Sequence, residues 1–475
     1  MKHSLLRKYR FLAVAAVIAF SLAVLTACGG GGGSVDTSVE NNPPLYSWWT
    51  GYDQKADTNV SVATLDTWIA NGFKTDAGEP VVIIDISSTF GTDKTIPGSY
   101  KGADVGYYNS YTRDEGPLNA SEAYNGVNPS DTTKTVDNRT AASMVLTGEM
   151  VDTILSKIGA DQDTVIVFAQ KTGINTGLAR VWQMFYYWGF PESKLKILDG
   201  NVTDVATAAV SLNYAAAKEG TFSVNKLPQL HSSARATIKD VIQSLEDDSA
   251  IIWDSWGSHS NAGSKIAKNR FFYGQGNLYT GGAYKDPNVI LDALLTAMID
   301  PTNGLSTTDG IGKVLANLTT TEEKRAAAYE LLKTKKIITH CAAGNAAAPA
   351  FYFAKEILPS LTGNENVAMF DGSWSQWSVY TDRSPMGAVY AQGKFTEFNT
   401  TPYTTITNET TFLTYATKFW CREYTTTNVC NSPVSVDTDF DGKMLNDIDK
   451  EYLEKRSTGS SDESVTNVGG GGGSC

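Results

Sequence analysis

Short runs of consecutive apolar residues recur along the chain, and stretches of helical character lie between them. Val81–Asp85, Ala250–Asp254, Lys336–His340 and residues 164–168 are such runs. A continuous apolar run is typical of a parallel strand that is buried on both faces. Helices are expected over residues 61–69, 141–158, 179–188, 321–333 and 346–358. This alternation predicts an α/β fold in which helices flank parallel sheets.

The order of strands and helices occurs twice, which indicates two copies of one α/β unit. Asp85 and Asp254 end corresponding strands, and Asp-Gly turns recur at residues 199–200 and 371–372. A chain of 475 residues is long enough for two or three domains. The expected domains are residues 46–225 and 226–395, followed by a Thr/Asn-rich extension, 396–475, with an acidic loop and a Gly-rich tail.

The N-terminus has the features of an export signal. Basic residues precede an apolar run over residues 11–24, which is short for a membrane span. Residues 25–28, Leu-Thr-Ala-Cys, resemble the bacterial lipobox and predict lipidation of Cys28. Residues 1–28 are then a signal peptide and 29–45 a flexible Gly/Ser linker. Gly29 favours a lipid-anchored protein of the cell envelope, at the outer membrane or facing the periplasm. An uncleaved anchor and a plain secretory signal remain alternatives.

The formal net charge is -12, which makes nucleic acid an unfavourable partner. Any site for a small anion must therefore be built locally. Export implies an oxidising compartment, where cysteines can form disulfides. Cys421 and Cys430 lie close enough in sequence to bridge, although they could equally stay reduced. Cys341 and Cys475 are left as the candidates for free thiols.

Cys341 directly follows a predicted buried strand and precedes a predicted helix. Such a short loop directs backbone N–H groups at one point, so we expect them to lower the pKa of this thiol and to cradle an anion. A buried structural cysteine is the alternative. The loop that would supply these N–H groups comprises Ala342, Ala343, Gly344, Asn345, Ala346 and Ala347.

The segments 336–347 and 370–377 resemble the active-site loop and the Asp-Gly-Ser-Trp-x-x-Trp segment of the tandem rhodanese family, the thiosulfate and 3-mercaptopyruvate sulfurtransferases. Residues 96–99, 179–189 and 198–200 resemble the non-catalytic repeat of that family. The resemblance implies a rhodanese-type sulfurtransferase with a persulfide on Cys341. It also implies an inactive first domain, in which Ala169 or Gln170 stands where the cysteine would fall.

The sequence departs from the family around the substrate. The residues that follow Cys341 are neutral, which is closer to the mercaptopyruvate type than to the thiosulfate type. Trp256 stands where the family places an arginine. Arg270 could supply the missing cation, or it could be a solvated loop charge. His340 adjoins Cys341, but strand alternation sends the two side chains to opposite faces, so His340 is interpreted as structural.

No organic cofactor is expected. Asp437, Asp439 and Asp441 alternate as in a calcium loop, but Ile448 replaces the usual final glutamate, so an acidic loop is the alternative. The expected partners are a small sulfur-donor anion and a thiol or cyanide acceptor. Two further functions remain open: handling of selenite or tellurite at the cell surface, and a non-catalytic binding module.

Overall fold

The architecture comes from a computed structural model. It describes residues 58–87, 94–107, 111–114, 126–128, 131–136, 140–171, 176–208, 214–227, 229–256, 269–373 and 443–457. Contacts group residues 43–475 into one compact unit, which contains every described residue.

The described residues contain sixteen strands, which are named β1 to β16 in chain order. They are Asn59–Ser61, Val81–Asp85, Tyr100–Lys101, Tyr111–Asp114, Gly126–Asn128, Asp131–Val136, Thr140–Met144, Val165–Ala169, Leu195–Asp199, Arg235–Ala236, Ala250–Asp254, Arg270–Phe272, Tyr279–Thr280, Ala283–Tyr284, Lys336–His340 and Val367–Phe370.

The α-helices are named α1 to α10 in the same way. They are Val62–Ala70, Gly102–Val105, Gly148–Ile158, Thr176–Tyr187, Ile238–Asp247, Pro287–Met298, Thr321–Thr334, Ala347–Tyr352, Pro359–Thr362 and Lys443–Ser457. A π-helical turn, Phe353–Ile357, directly follows α8, and Leu358 alone separates it from α9. Short 3-10 turns lie at Glu192–Lys194, Val202–Asp204, Val224–Lys226, Ser232–Ala234, Gln275–Asn277 and Gly310–Leu315.

Two five-stranded parallel sheets form the centre of the molecule. The first has the order β1-β9-β8-β2-β3, and the second has the order β10-β16-β15-β11-β12. The two orders correspond strand for strand, with β8 and β15 at the centres. Every residue of β8 and of β11 is buried, as expected for strands with helices on both faces. The predicted α/β class with parallel sheets is therefore confirmed.

Aromatic side chains from both halves pack in one core. The Trp182 ring of α4 meets the Tyr352 ring of α8 edge to face, with centroids 4.9 Å apart. The Tyr352 hydroxyl donates to Thr58 Oγ1 at 2.9 Å and also contacts Asn59. Side chains far apart in sequence thus join the two sheets through apolar contacts and buried hydrogen bonds.

The apolar runs correspond to strands within a residue at each end, but one helix prediction is partly wrong. Residues 141–144 of the expected helix belong to β7, which pairs antiparallel with β4. The helix begins only at Gly148, where the Thr147 side chain caps it by accepting a hydrogen bond from the Met150 N–H. Within the described residues, no helix is both long and apolar enough to cross a membrane.

Candidate functional site

Cys341 lies at the carboxyl end of β15, the central strand of the second sheet. Its side chain is buried, with 1% of its surface exposed. The loop that follows turns through Gly344, whose φ of 78° favours glycine, and enters α8 at Ala347. The strand-loop-helix arrangement predicted for this cysteine is therefore present.

Four polar groups act to lower the pKa of the Cys341 thiol. They are the backbone N–H groups of Ala343, Ala346 and Ala347 and the Ser373 hydroxyl. Burial nevertheless raises the pKa of this thiol, because the four groups offset only part of the desolvation. The expected lowering of this pKa is therefore wrong, although loop N–H groups do favour the thiolate as expected.

Two serines outside the loop fix its ends. The Cys341 N–H donates to Ser373 Oγ at 3.1 Å, and the Ser373 hydroxyl lies 2.8 Å from the Phe370 carbonyl oxygen. Ser255, at the end of the neighbouring strand β11, places its hydroxyl 3.0 Å from the His340 carbonyl and 2.9 Å from that of Ala346. Neither serine was predicted as a site residue. Their positions just after strands could have indicated it, since carboxyl ends of adjacent parallel strands meet at one edge of a sheet.

Asp371, two residues before Ser373, is fully buried between two arginines. Its Oδ1 lies 2.6 Å from Arg180 Nη2, and its Oδ2 lies 3.3 Å from Arg235 Nε. Oδ2 also accepts the Val145 N–H at 2.9 Å. Burial alone would raise the pKa of Asp371, but the two guanidinium groups hold it below its usual value. The segment that carries Ser373 is thus anchored by ionic contacts to the first half of the chain.

Arg270 and His340 are both tied into the sheet. Arg270 Nη1 lies 3.1 Å from Asp254 Oδ2, so a carboxylate already compensates the candidate substrate cation. His340 is fully buried, with Nδ1 3.3 Å from the Cys341 carbonyl oxygen. Burial lowers the pKa of His340, which keeps the ring neutral at pH 7. This environment agrees with a structural role for His340.

The first sheet shows which residue stands in place of the cysteine. Asp85 pairs with Ala169 in the first sheet, as Asp254 pairs with His340 in the second. Gln170 therefore occupies the position that corresponds to Cys341, and its side chain is buried. A glutamine amide is not a nucleophile, so the corresponding position of the first sheet has no thiol chemistry.

Other predicted site residues lie outside the described part of the chain. They are Cys28, Cys421, Cys430, Asp437, Asp439 and Asp441. Over the residues that are described, no group of three or more His, Cys, Asp or Glu side chains is arranged to hold a metal ion.

The chain resembles several solved structures at low identity. Tum1 of Saccharomyces cerevisiae is 14% identical with a TM-score of 0.40, covering 68% of this chain and 95% of Tum1. SseA of Escherichia coli, described as a 3-mercaptopyruvate sulfotransferase of the "Rhodanese" fold, is 16% identical with a TM-score of 0.40, covering 66% of this chain and 98% of SseA. An anaerobic ergothioneine biosynthesis enzyme of Chlorobium limicola is 13% identical with a TM-score of 0.42, covering 68% of each chain.

No protein-family model matches the chain, and no curated protein sequence matches it. Identities and TM-scores of this size carry no weight for function, so the chemistry of the site must be argued from its own residues.

Proposed function

We propose that the protein is a sulfurtransferase that carries sulfur as a persulfide on Cys341. The position of Cys341 between the carboxyl end of β15 and the start of α8, where loop N–H groups favour its thiolate, carries this proposal. Such N–H groups stabilise negative charge on sulfur. The anchoring of the Ser373 segment by Asp371 keeps these donors in place.

The reaction has two steps. The Cys341 thiolate attacks the outer sulfur of a donor, a sulfur–sulfur bond forms, and the bond from that sulfur to the rest of the donor breaks. The departing fragment keeps the electron pair of the broken bond. A nucleophilic acceptor, a thiol or cyanide, then attacks the terminal sulfur and returns Cys341 as a thiolate. The loop N–H groups oppose the charge on the terminal sulfur of the intermediate.

The neutral loop after Cys341 supports a mercaptopyruvate-like donor over thiosulfate. The groups that favour the Cys341 thiolate are backbone amides and one hydroxyl, and Arg270 is compensated by Asp254. A dianion would gain less from this set of donors than from the basic loop of the thiosulfate type. A role for Arg270 as the substrate cation would require Asp254 to release it.

The deciding experiment compares wild-type protein with Cys341→Ser by mass spectrometry of the intact chain. Each protein is incubated separately with 3-mercaptopyruvate, thiosulfate and selenite. We expect a mass gain of one sulfur on the wild type alone, with 3-mercaptopyruvate loading faster than thiosulfate. A selenium adduct without a sulfur adduct would instead assign the site to selenium chemistry.

The result that would overturn the proposal is also specific. Circular dichroism and thiol titration first establish that the wild type is folded with a reduced Cys341. If such protein gains no mass with any of the three donors, Cys341 is not a chalcogen carrier, and a binding role replaces the enzyme.

We further propose that the enzyme is tethered to the cell envelope by a lipid on Cys28, with the outer membrane favoured. The export signal and the Gly-rich linker after Cys28 support this proposal. Metabolic labelling with a radioactive fatty acid tests it, and Cys28→Ser should abolish the label.

A further inference from the structure

The C-terminal helix α10 inserts polar side chains into the interior. Asn446 and Asp449 are 8% and 1% exposed, and their spacing of three residues places them on one face of the helix. The buried Tyr187 hydroxyl lies 2.8 Å from Asn446 Oδ1 and 2.8 Å from Asp449 Oδ2. Buried polar groups are costly unless they are paired, so these contacts specify where the helix docks.

The same face of α10 reaches Arg235, one of the two arginines that hold Asp371. Arg235 Nη1 donates to Asn446 Oδ1 at 3.2 Å, while its Nε faces Asp371 Oδ2 at 3.3 Å. Asp371 is shared between Arg235 and Arg180, both fully enclosed. Asp449 joins this group through the Tyr187 hydroxyl, which also contacts Asn446. We call Arg180, Arg235, Asp371, Asn446, Asp449 and Tyr187 the buried charge cluster.

The buried charge cluster lies two residues from a strained position in the active site. Ser373 has a φ of 49°, in the left-handed region that residues with side chains rarely adopt. A strained conformation persists only where its surroundings hold it, and Asp371 is the nearest fixed point. Ser373 Oγ in turn accepts the Cys341 backbone N–H at 3.1 Å and so fixes the start of the Cys341 loop.

We propose that Asn446 and Asp449 are positioning residues for Cys341, acting through Tyr187, Arg235 and Asp371 to hold Ser373 Oγ against the Cys341 backbone N–H. The C-terminal helix is thus part of the active-site architecture and not only a cover. The catalytic importance of this positioning rests on the proposed function, but the positioning itself can be tested without any sulfur donor.

The test measures the alkylation rate of Cys341 by iodoacetamide between pH 7 and 9, with peptide-level mass spectrometry to separate the cysteines. Only the thiolate reacts, and the loop N–H groups favour it, so a loop that loses its contact with Ser373 should react more slowly. Asp449→Asn in the full-length chain should slow Cys341 alkylation about threefold. Asp447→Asn removes an exposed charge from the same helix and should leave the rate unchanged.

Two further variants separate positioning from docking. Tyr452→Phe removes the contact of Tyr452 with Asp152 on another turn of α10, and it should leave the alkylation rate unchanged. Ser373→Ala should slow alkylation, and Asp449→Asn should add nothing to it, because both changes act on the same hydroxyl. A rate at or above the wild-type value in folded Asp449→Asn, or additive effects in the double variant, would overturn the proposal.

If Asp449→Asn does not fold, Tyr187→Phe takes its place, because it removes the hydroxyl that contacts both Asn446 and Asp449 while leaving the charges of the cluster unchanged. The same threefold slowing is expected, and an unchanged rate would again refute the proposal. Failure of the sulfur-loading experiment leaves these outcomes unaffected, since alkylation requires only a free thiol at Cys341.

Discussion

Cys341 is at once hidden from water and surrounded by groups that stabilise its anion. Desolvation opposes the thiolate, while the backbone N–H groups of Ala343, Ala346 and Ala347 and the Ser373 hydroxyl favour it. The balance leaves the thiol protonated at neutral pH. Such a site protects the cysteine from adventitious oxidation, because the thiolate is the form that oxidants attack.

The raised pKa of Cys341 predicts a steep pH dependence of sulfur loading. Below that pKa the thiolate fraction rises about tenfold per pH unit, so the loading rate should still climb beyond pH 9. Single-turnover loading from pH 6 to 10 measures this dependence, with N-acetylcysteine as the reference thiol of ordinary pKa. A plateau for the protein at lower pH than for N-acetylcysteine would contradict the raised pKa.

At the scale of single residues, the sequence predicts the position of Cys341 but not the protonation state of its thiol. The order of strand, cysteine, short loop and helix is readable, because each part has its own residue pattern. Burial of the thiol depends on side chains that converge from distant parts of the chain, and no local pattern reports it. The contact of Ser373 with the Cys341 backbone N–H is hidden for the same reason, although the motif around Ser373 was visible.

At the scale of elements, the strands were the most predictable part. Val81–Asp85, Ala250–Asp254 and Lys336–His340 form strands with the expected bounds, because strands buried on both faces need unbroken apolar runs. Residues 140–144 are also apolar enough to suit a helix, and only their pairing with β4 decides their conformation. Long-range pairing of this kind outweighs local preference.

The C-terminal helix, Lys443–Ser457, escaped prediction for a different reason. Helices are recognised by an apolar stripe, but the buried face of this helix carries Asn446 and Asp449. Its docking depends on hydrogen bonds and on an aromatic contact between Tyr452 and Trp188, whose ring centroids are 6.0 Å apart. Polar recognition leaves no periodic signal in the sequence.

Gly148, the first residue of α3, allows this helix to dock. A Cβ atom there would lie 2.3 Å from the Tyr452 ring and 3.0 Å from that of Trp188. Gly148→Ala should therefore loosen α10 and increase hydrogen exchange over residues 443–457 about tenfold or more. Gly276→Ala is the matched control, since nothing lies within 4 Å of its Cβ position. Unchanged exchange in Gly148→Ala would mean that Tyr452 does not pack there.

At the scale of the whole molecule, one buried carboxylate forms an ion pair between the two repeats. Asp371 follows the last strand of the second sheet, whereas Arg180 belongs to helix α4 beside the first sheet. The repeat in the sequence predicts two similar sheets, but not the ion pair that unites them. Each half is therefore recognisable from its own residues, while the contact between the halves requires the structure.

Removing the Asp371 charge should be costly. Asp371→Asn leaves Arg180 and Arg235 without their shared carboxylate, so we expect a loss of about 3–5 kcal/mol in the free energy of unfolding at pH 7. Urea denaturation measures this loss. Glu330→Gln breaks an exposed pair with Lys333 and should cost less than about 1 kcal/mol. Comparable losses in the two variants would refute the assignment of Asp371 as a buried junction.

The same junction has a pH signature. The pKa of Asp371 is lowered in the folded protein. Its contribution to the free energy of unfolding is therefore complete above the ordinary carboxyl pKa and is lost as the pH falls through the lowered value. Below that value the loss is complete, and Asp371→Asn should then cost far less stability than at pH 7.

The residues of the buried charge cluster are spread from position 180 to position 449, and this has a consequence for the order of events during synthesis. A chain that emerges from its N-terminus completes both sheets and the Cys341 loop well before Asp449 exists. The cluster cannot close until that last carboxylate arrives. The contacts around Asp371 are therefore complete only after Asp449 has been synthesised, and a chain that ends before this residue carries Cys341 without the contacts of α10.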